Sequence, residues 1–159
     1  MKIAIEAEKL FSTNLRNVYI CLKDSPCAAK DIVSKACKLG MSFPHPREDV
    51  RRSLAILEIT GIANKRVSNS SHLFELSEDA TIDPADIYEI TRGIGKALDE
   101  LGSDWAETTI ESFRSILADI SDKDFLQVTD LLTRKGKIRI ENGKVIKNIT
   151  IYTYKKTSD

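Results

Sequence analysis

Arg47, Arg51 and Arg52 crowd the head of the stretch REDVRRSLAILEITGIANKRV, and Lys65 and Arg66 follow just past its glycine. An arginine guanidinium suits a phosphate or a guanine edge, because its planar fork donates two parallel hydrogen bonds. Other chemistry is sparse. The chain has two histidines, His45 in the loop Phe-Pro-His-Pro and His72 at the expected start of a strand, so acid–base catalysis has few candidates. The cysteines Cys21, Cys27 and Cys37 show no C-x-x-C spacing and are too few for a zinc site of about four ligands. They are expected as reduced thiols that pack as small hydrophobes. Arg92-Gly93-Ile94-Gly95-Lys96 fails as a phosphate loop, because Ile90 stands where the first glycine belongs and Ala97 where a Ser or Thr belongs. Close helix packing or a kink is the expected reason for those glycines. No nucleophile elbow, H-E-x-x-H run or carboxylate pair appears, so the expectation is a non-enzyme with no metal and no cofactor.

The elements that must carry these cations follow from periodicity. Residues 6–23 read as a helix with Leu10, Leu15, Val18 and Cys21 inward. Ser25-Pro26 reads as a cap and first-turn proline of a second helix, about 26–39, striped by Ile32, Val33 and Ala36 and stopped at Gly40. The prolines of MSFPHP hold a loop open. A third helix, about 47–60, places Val50, Leu54 and Leu57 on one face, and Gly61 ends it. Strands 63–67 and 72–76 flank the turn Ser68-Asn69-Ser70-Ser71.

Pro84 and the acids before it mark the expected boundary, at 78/79. Three further helices are predicted, about 84–101 (Ile87, Ile90, Ile94, Leu98), 105–120 (Ile110, Phe113, Leu117) and 123–135 (Phe125, Val128, Leu132). Gly136 and a hairpin over KIRIENGKVIKNITIYTYKK come last, with Asn142-Gly143 favouring a type I′ turn. Trp105 is expected as a core anchor. Phe125, Val128, Leu132, Gly136 and Ile138 repeat the pattern of Val50, Ser53, Leu57, Gly61 and Ala63 at constant offset. The fold class is therefore mainly α with small β-hairpins (α+β), in two similar subdomains, 1–78 and 79–159.

A formal charge of zero conceals three blocks. Residues 1–74 carry 12 Lys+Arg against 7 Asp+Glu, residues 75–122 carry 3 against 13, and residues 123–159 carry 9 against 4. Basic blocks attract phosphate, whereas the acidic middle repels it. No apolar run could span a bilayer, and the N-terminus lacks a secretory core, so a cytoplasmic protein without a membrane partner is expected.

Leu54-x-x-Leu57-Glu58-x-x-Gly61-Ile62, followed by Lys65-Arg66 and a polar turn, resembles the recognition helix and wing of winged helix-turn-helix proteins. The likeness covers about residues 10–76, and more loosely about 84–154, where Thr129 replaces the first leucine. The resemblance implies tandem winged-helix subdomains and a DNA-binding regulator of transcription, with double-stranded DNA as partner. By the same resemblance Arg47, Arg51 and Arg52 on the third helix would meet DNA, together with Lys65, Arg66 and Asn69 in the wing. Ser34, Lys35 and Lys38 on the second helix would hold phosphates. In the second copy the counterparts are Gln127, Arg134, Lys135, Lys137, Arg139, Lys144 and Lys147. Against this, Glu48, Asp49 and Glu58 can neutralise much of the third helix through intrahelical pairs.

Two isoleucines complicate the third helix. With Val50 at zero and about 100° per residue, Ile59 falls near 180° and Ile56 near 240°, both off the packed stripe. Burying each is worth about 1.5–3 kcal/mol, so both are expected to contact the second subdomain or a second chain. A homodimer or a protein partner is the expected assembly. Tandem winged helices also serve as protein adaptors, as in chromosome-condensation accessory subunits and an endosomal sorting adaptor, which makes an assembly subunit the alternative function.

Overall fold

The computed structural model describes residues 2–69, 71–77 and 81–148. Residues 149–159, the far end of the predicted second hairpin, lie outside the described residues, as do Ser70 and residues 78–80. The protein is mixed α and β, and it divides into two compact units, Met1–Thr91 and Arg92–Asp159. The division falls inside a helix, rather than in the acidic stretch before Pro84.

The first unit begins with α1 (Lys2–Asp24), which starts earlier than periodicity alone indicates. Leu15, Val18, Tyr19, Cys21 and Leu22 are buried on it, whereas Leu10, expected inward, is exposed. The Ser25-Pro26 cap is a correction: the chain first forms β1 (Cys27–Ala28), and α2 (Ala29–Lys38) starts only after it. Two residues cannot show a period of two, so the strand had no sequence signature. Its reason is tertiary, since Cys27 and Ala28 pair with Phe74 and Leu73.

Helix α3 (Pro46–Ile59) has proline in its first turn, and the Asp49 carboxylate accepts the His45 backbone N–H at 2.8 Å. Both features favour starting a helix at this point. Val50, Ser53, Leu54 and Leu57 face inward. At the other end Gly61 has φ +77°, Gly61 N–H donates to Glu58 and Ile62 N–H to Leu57. Such a left-handed stop strains any side chain with a Cβ. The chain then enters β2 (Ala63–Ser68) and β3 (Ser71–Leu76), an antiparallel hairpin with β3 between β1 and β2. A 3-10 turn, Pro84–Asp86, leads into α4 (Ile87–Leu101), and the fully buried Tyr19 hydroxyl fixes the segment just before it. That hydroxyl donates to the Ile82 carbonyl at 2.7 Å and accepts the Ile82 N–H at 3.1 Å.

The second unit repeats the order. The end of α4 is followed by β4 (Glu107–Thr109), α5 (Ile110–Ile116), α6 (Asp122–Arg134), β5 (Ile138–Glu141) and β6 (Lys144–Lys147). Its sheet again has the last strand in the middle, between β4 and β5. The helix predicted over 105–120 is thus shorter, because Glu107–Thr109 pair with Lys144–Ile146 and only then does Thr109 cap α5. Phe113, Leu117, Phe125, Val128, Leu132, Ile138 and Val145 are buried, together with Ile94, Ala97, Leu101, Ile120 and Leu131. A Cβ on Gly93 would meet Val128 at 3.0 Å and Ile120 at 3.1 Å, so close packing explains this glycine. Gly136 (φ +71°) ends α6 with the hydrogen bonds of Gly61, here Gly136 to Thr133 and Lys137 to Leu132. Asn142 and Gly143 both have positive φ, as a type I′ hairpin turn requires.

Candidate nucleic-acid interface

In the first unit five exposed cations lie on α3 and the hairpin, and Lys9, Arg16, Lys23, Lys30 and Lys38 are exposed on α1 and α2. Arg47, Arg51 and Arg52 are all exposed. Arg52 is ion-paired to Glu48 at 3.1 Å, one turn back, while Arg47 and Arg51 have no ion-pair partner among the described residues. The intrahelical neutralisation expected from the sequence therefore reaches only one of the three. Lys65 is exposed, with its ammonium 5.9 Å from the centre of the Phe74 ring. Arg66 reaches across the hairpin to Glu75 at 3.7 Å, and Asn69 occupies the turn with φ +50°. Exposed pairs of this kind are worth about 1 kcal/mol or less, so phosphate can compete for them.

The second helix supplies less than expected. Lys35 donates to the Ser25 carbonyl at 2.9 Å and pairs with Asp24 at 3.3 Å, leaving its side chain 17% exposed. Its role is to close the α1–α2 corner. Ser34 and Lys38 remain exposed. Lys30, not anticipated, stands in the first turn of α2 and shares a groove with Arg47 and Arg51. Its place becomes legible once α2 starts at Ala29, because first-turn side chains of α2 then border the start of α3.

The corresponding cations of the second unit are mostly engaged. Arg134 pairs with Asp130 at 3.1 Å, Arg139 with Glu141 at 3.5 Å, and Lys144 with Glu107 at 3.2 Å. Lys135 and Lys137 are half-buried, as is Gln127, whose Oε1 is buried. Lys147 is the clearest correction. Only 7% exposed, it lies 4.2 Å over the Trp105 ring and donates to the Ser103 carbonyl. Burial holds its ammonium below the ordinary lysine range. Trp105 is only half-buried, anchored by its N–H to Glu100 and edge-on to Phe113.

Of the two isoleucines, Ile56 is half-buried and Ile59 is 72% exposed, so the chain leaves Ile59 uncovered. Leu126, on the outer face of α6, is 66% exposed. The three thiols are free, Cys21 and Cys27 buried and Cys37 exposed, and burial pushes the two buried thiols up. Among the described residues no three His, Cys, Asp or Glu side chains gather as a metal site, and no helix is long and apolar enough to cross a membrane. No family model, curated protein or solved structure matches the chain.

Proposed function

We propose that the chain is a DNA-binding regulator of transcription, acting in the cytoplasm, in which the first unit is a winged helix that places α3 in the major groove. The observation that carries this reading is the pairing of an open helix with a three-stranded hairpin sheet. The first two turns of α3 present Arg47 and Arg51 unpaired, and the hairpin beside it carries Lys65, Arg66 and Asn69. An α-helix fits the major groove, and a protruding hairpin can follow the backbone or the minor groove. The second unit repeats the strand order but offers few free cations, so it acts as support.

The test is a titration of random duplex DNA at low and moderate salt. Binding should weaken steeply with salt, with a log–log slope of about −0.9 for each phosphate neutralised. The double variant R47A/R51A should bind at least tenfold more weakly and lower that slope by about two. No binding by the intact protein at low salt overturns the proposal.

A second reading, a protein–protein adaptor or assembly subunit that could be homodimeric, is favoured by the exposure of Ile59 and Leu126 on the outer faces of α3 and α6. Large exposed aliphatics on helices are more readily explained by a protein surface than by phosphates. Replacing both Ile56 and Ile59 with lysine separates the readings: loss of self-association or partner capture with DNA affinity kept supports the adaptor.

A further inference from the structure

The starts of α2 and α3 enclose an open groove of about 810 Å³, lined by Ala29, Lys30, Val33, Pro46, Arg47, Glu48, Val50 and Arg51. Its composition is two-sided. Ala29, Val33, Pro46 and Val50 supply carbon, and Lys30, Arg47 and Arg51 supply positive charge. None of these three cations has an ion-pair partner among the described residues. The one acid in the groove, Glu48, already carries the Arg52 guanidinium at 3.1 Å. A DNA backbone would use the cations but leave the carbon surface without a partner. The volume lies within the range of about 300–1,000 Å³ seen for small-molecule sites, which are largely apolar with a few placed charges.

We propose that this groove binds an amphipathic organic anion, an aryl phosphate being the simplest form, with the apolar body against Val33 and Val50 and the anionic head at Arg47, Arg51 and Lys30. The argument for an anion is charge complementarity, and the argument for an apolar body is the lining opposite the cations. Because Arg47 and Arg51 also belong to the proposed DNA contact, ligand and duplex exclude one another. That regulatory consequence rests on the DNA-binding reading, whereas occupancy of the groove does not.

The test is calorimetric titration of the full chain with 1-naphthyl phosphate, 1-naphthol and inorganic phosphate. The first should saturate one site at least tenfold more tightly than either of the others. R47A/R51A and Val33→Asp should each weaken it at least tenfold with unchanged far-UV circular dichroism, and Lys144→Ala should not. If inorganic phosphate binds as well as the naphthyl ester, or if R47A/R51A binds unchanged, the proposal is wrong. Tighter binding of an oligoglutamate peptide at the same arginines overturns the small-molecule assignment in favour of a protein ligand. A fluorescent duplex added in a second series tells the two failures apart. Saturable naphthyl phosphate binding with no duplex binding sustains the groove and sinks the DNA reading, and duplex binding without naphthyl phosphate binding does the reverse.

Discussion

Tyr19 shows how one polar atom can fix a long connection. Its hydroxyl makes two hydrogen bonds to a single residue, Ile82, and all three groups are buried. Tyr19→Phe leaves the Ile82 N–H and C=O without that partner, at a cost of about 1–3 kcal/mol in urea unfolding at pH 7. Burial also raises the phenol above its ordinary 10.0, with the Ile82 hydrogen bond lowering it in part and Asp83 raising it. A raised acid is stabilising while protonated, so its share of stability is intact below pH 10.0 and is lost as the pH climbs through the folded value. Y19F should therefore show a flatter loss of stability above pH 10 than the parent, read from unfolding midpoints against pH. The same residue-scale logic separates Lys147 from Arg47: both are cations in basic stretches, and only burial distinguishes a groove-facing charge from one resting on an indole ring.

At the scale of elements, α4 contains two glycines with opposite roles. Gly93 faces Val128 and Ile120 at 3.0 and 3.1 Å from a would-be Cβ, whereas nothing lies within 4 Å of Gly95. Gly93→Ala should cost about 1–3 kcal/mol through overpacking. Gly95→Ala should stabilise by up to about 1 kcal/mol, since alanine loses less backbone entropy in a helix. Thermal unfolding of the two variants checks both signs, and stabilisation by G93A would contradict the packing. The ends of α3 and α6 carry the other lesson at this scale. Leu57 and Leu132 each accept the N–H of the third residue past the helix, Ile62 and Lys137, around a glycine with positive φ. The helix stop is thus the same device used twice, at positions that also match in sequence.

For the molecule as a whole, formal neutrality hides an uneven supply of usable charge. Residues of the second unit that look basic in sequence are spent on Asp130, Glu141, Glu107 and Trp105. Charge removal there, as in K144A or K147M, should leave DNA affinity within about twofold at moderate salt, in contrast to R47A/R51A, because the proposed contact lies on α3 and the first hairpin. A tenfold loss in either variant would show that the second unit also contacts DNA. The amino-acid sequence by itself determined the long helices, the glycine stops and the Asn142-Gly143 hairpin, since each rests on short-range periodicity or on backbone chemistry within a few residues. It also marked the core stripes and the repeated offset between Leu57 and Leu132. Only the tertiary structure decided that Cys27–Ala28 and Glu107–Thr109 are strands, because their partners lie in hairpins far along the chain. Tertiary structure likewise decided which cations stay free. Pairing and burial depend on neighbours brought together by folding, which no spacing along the chain encodes.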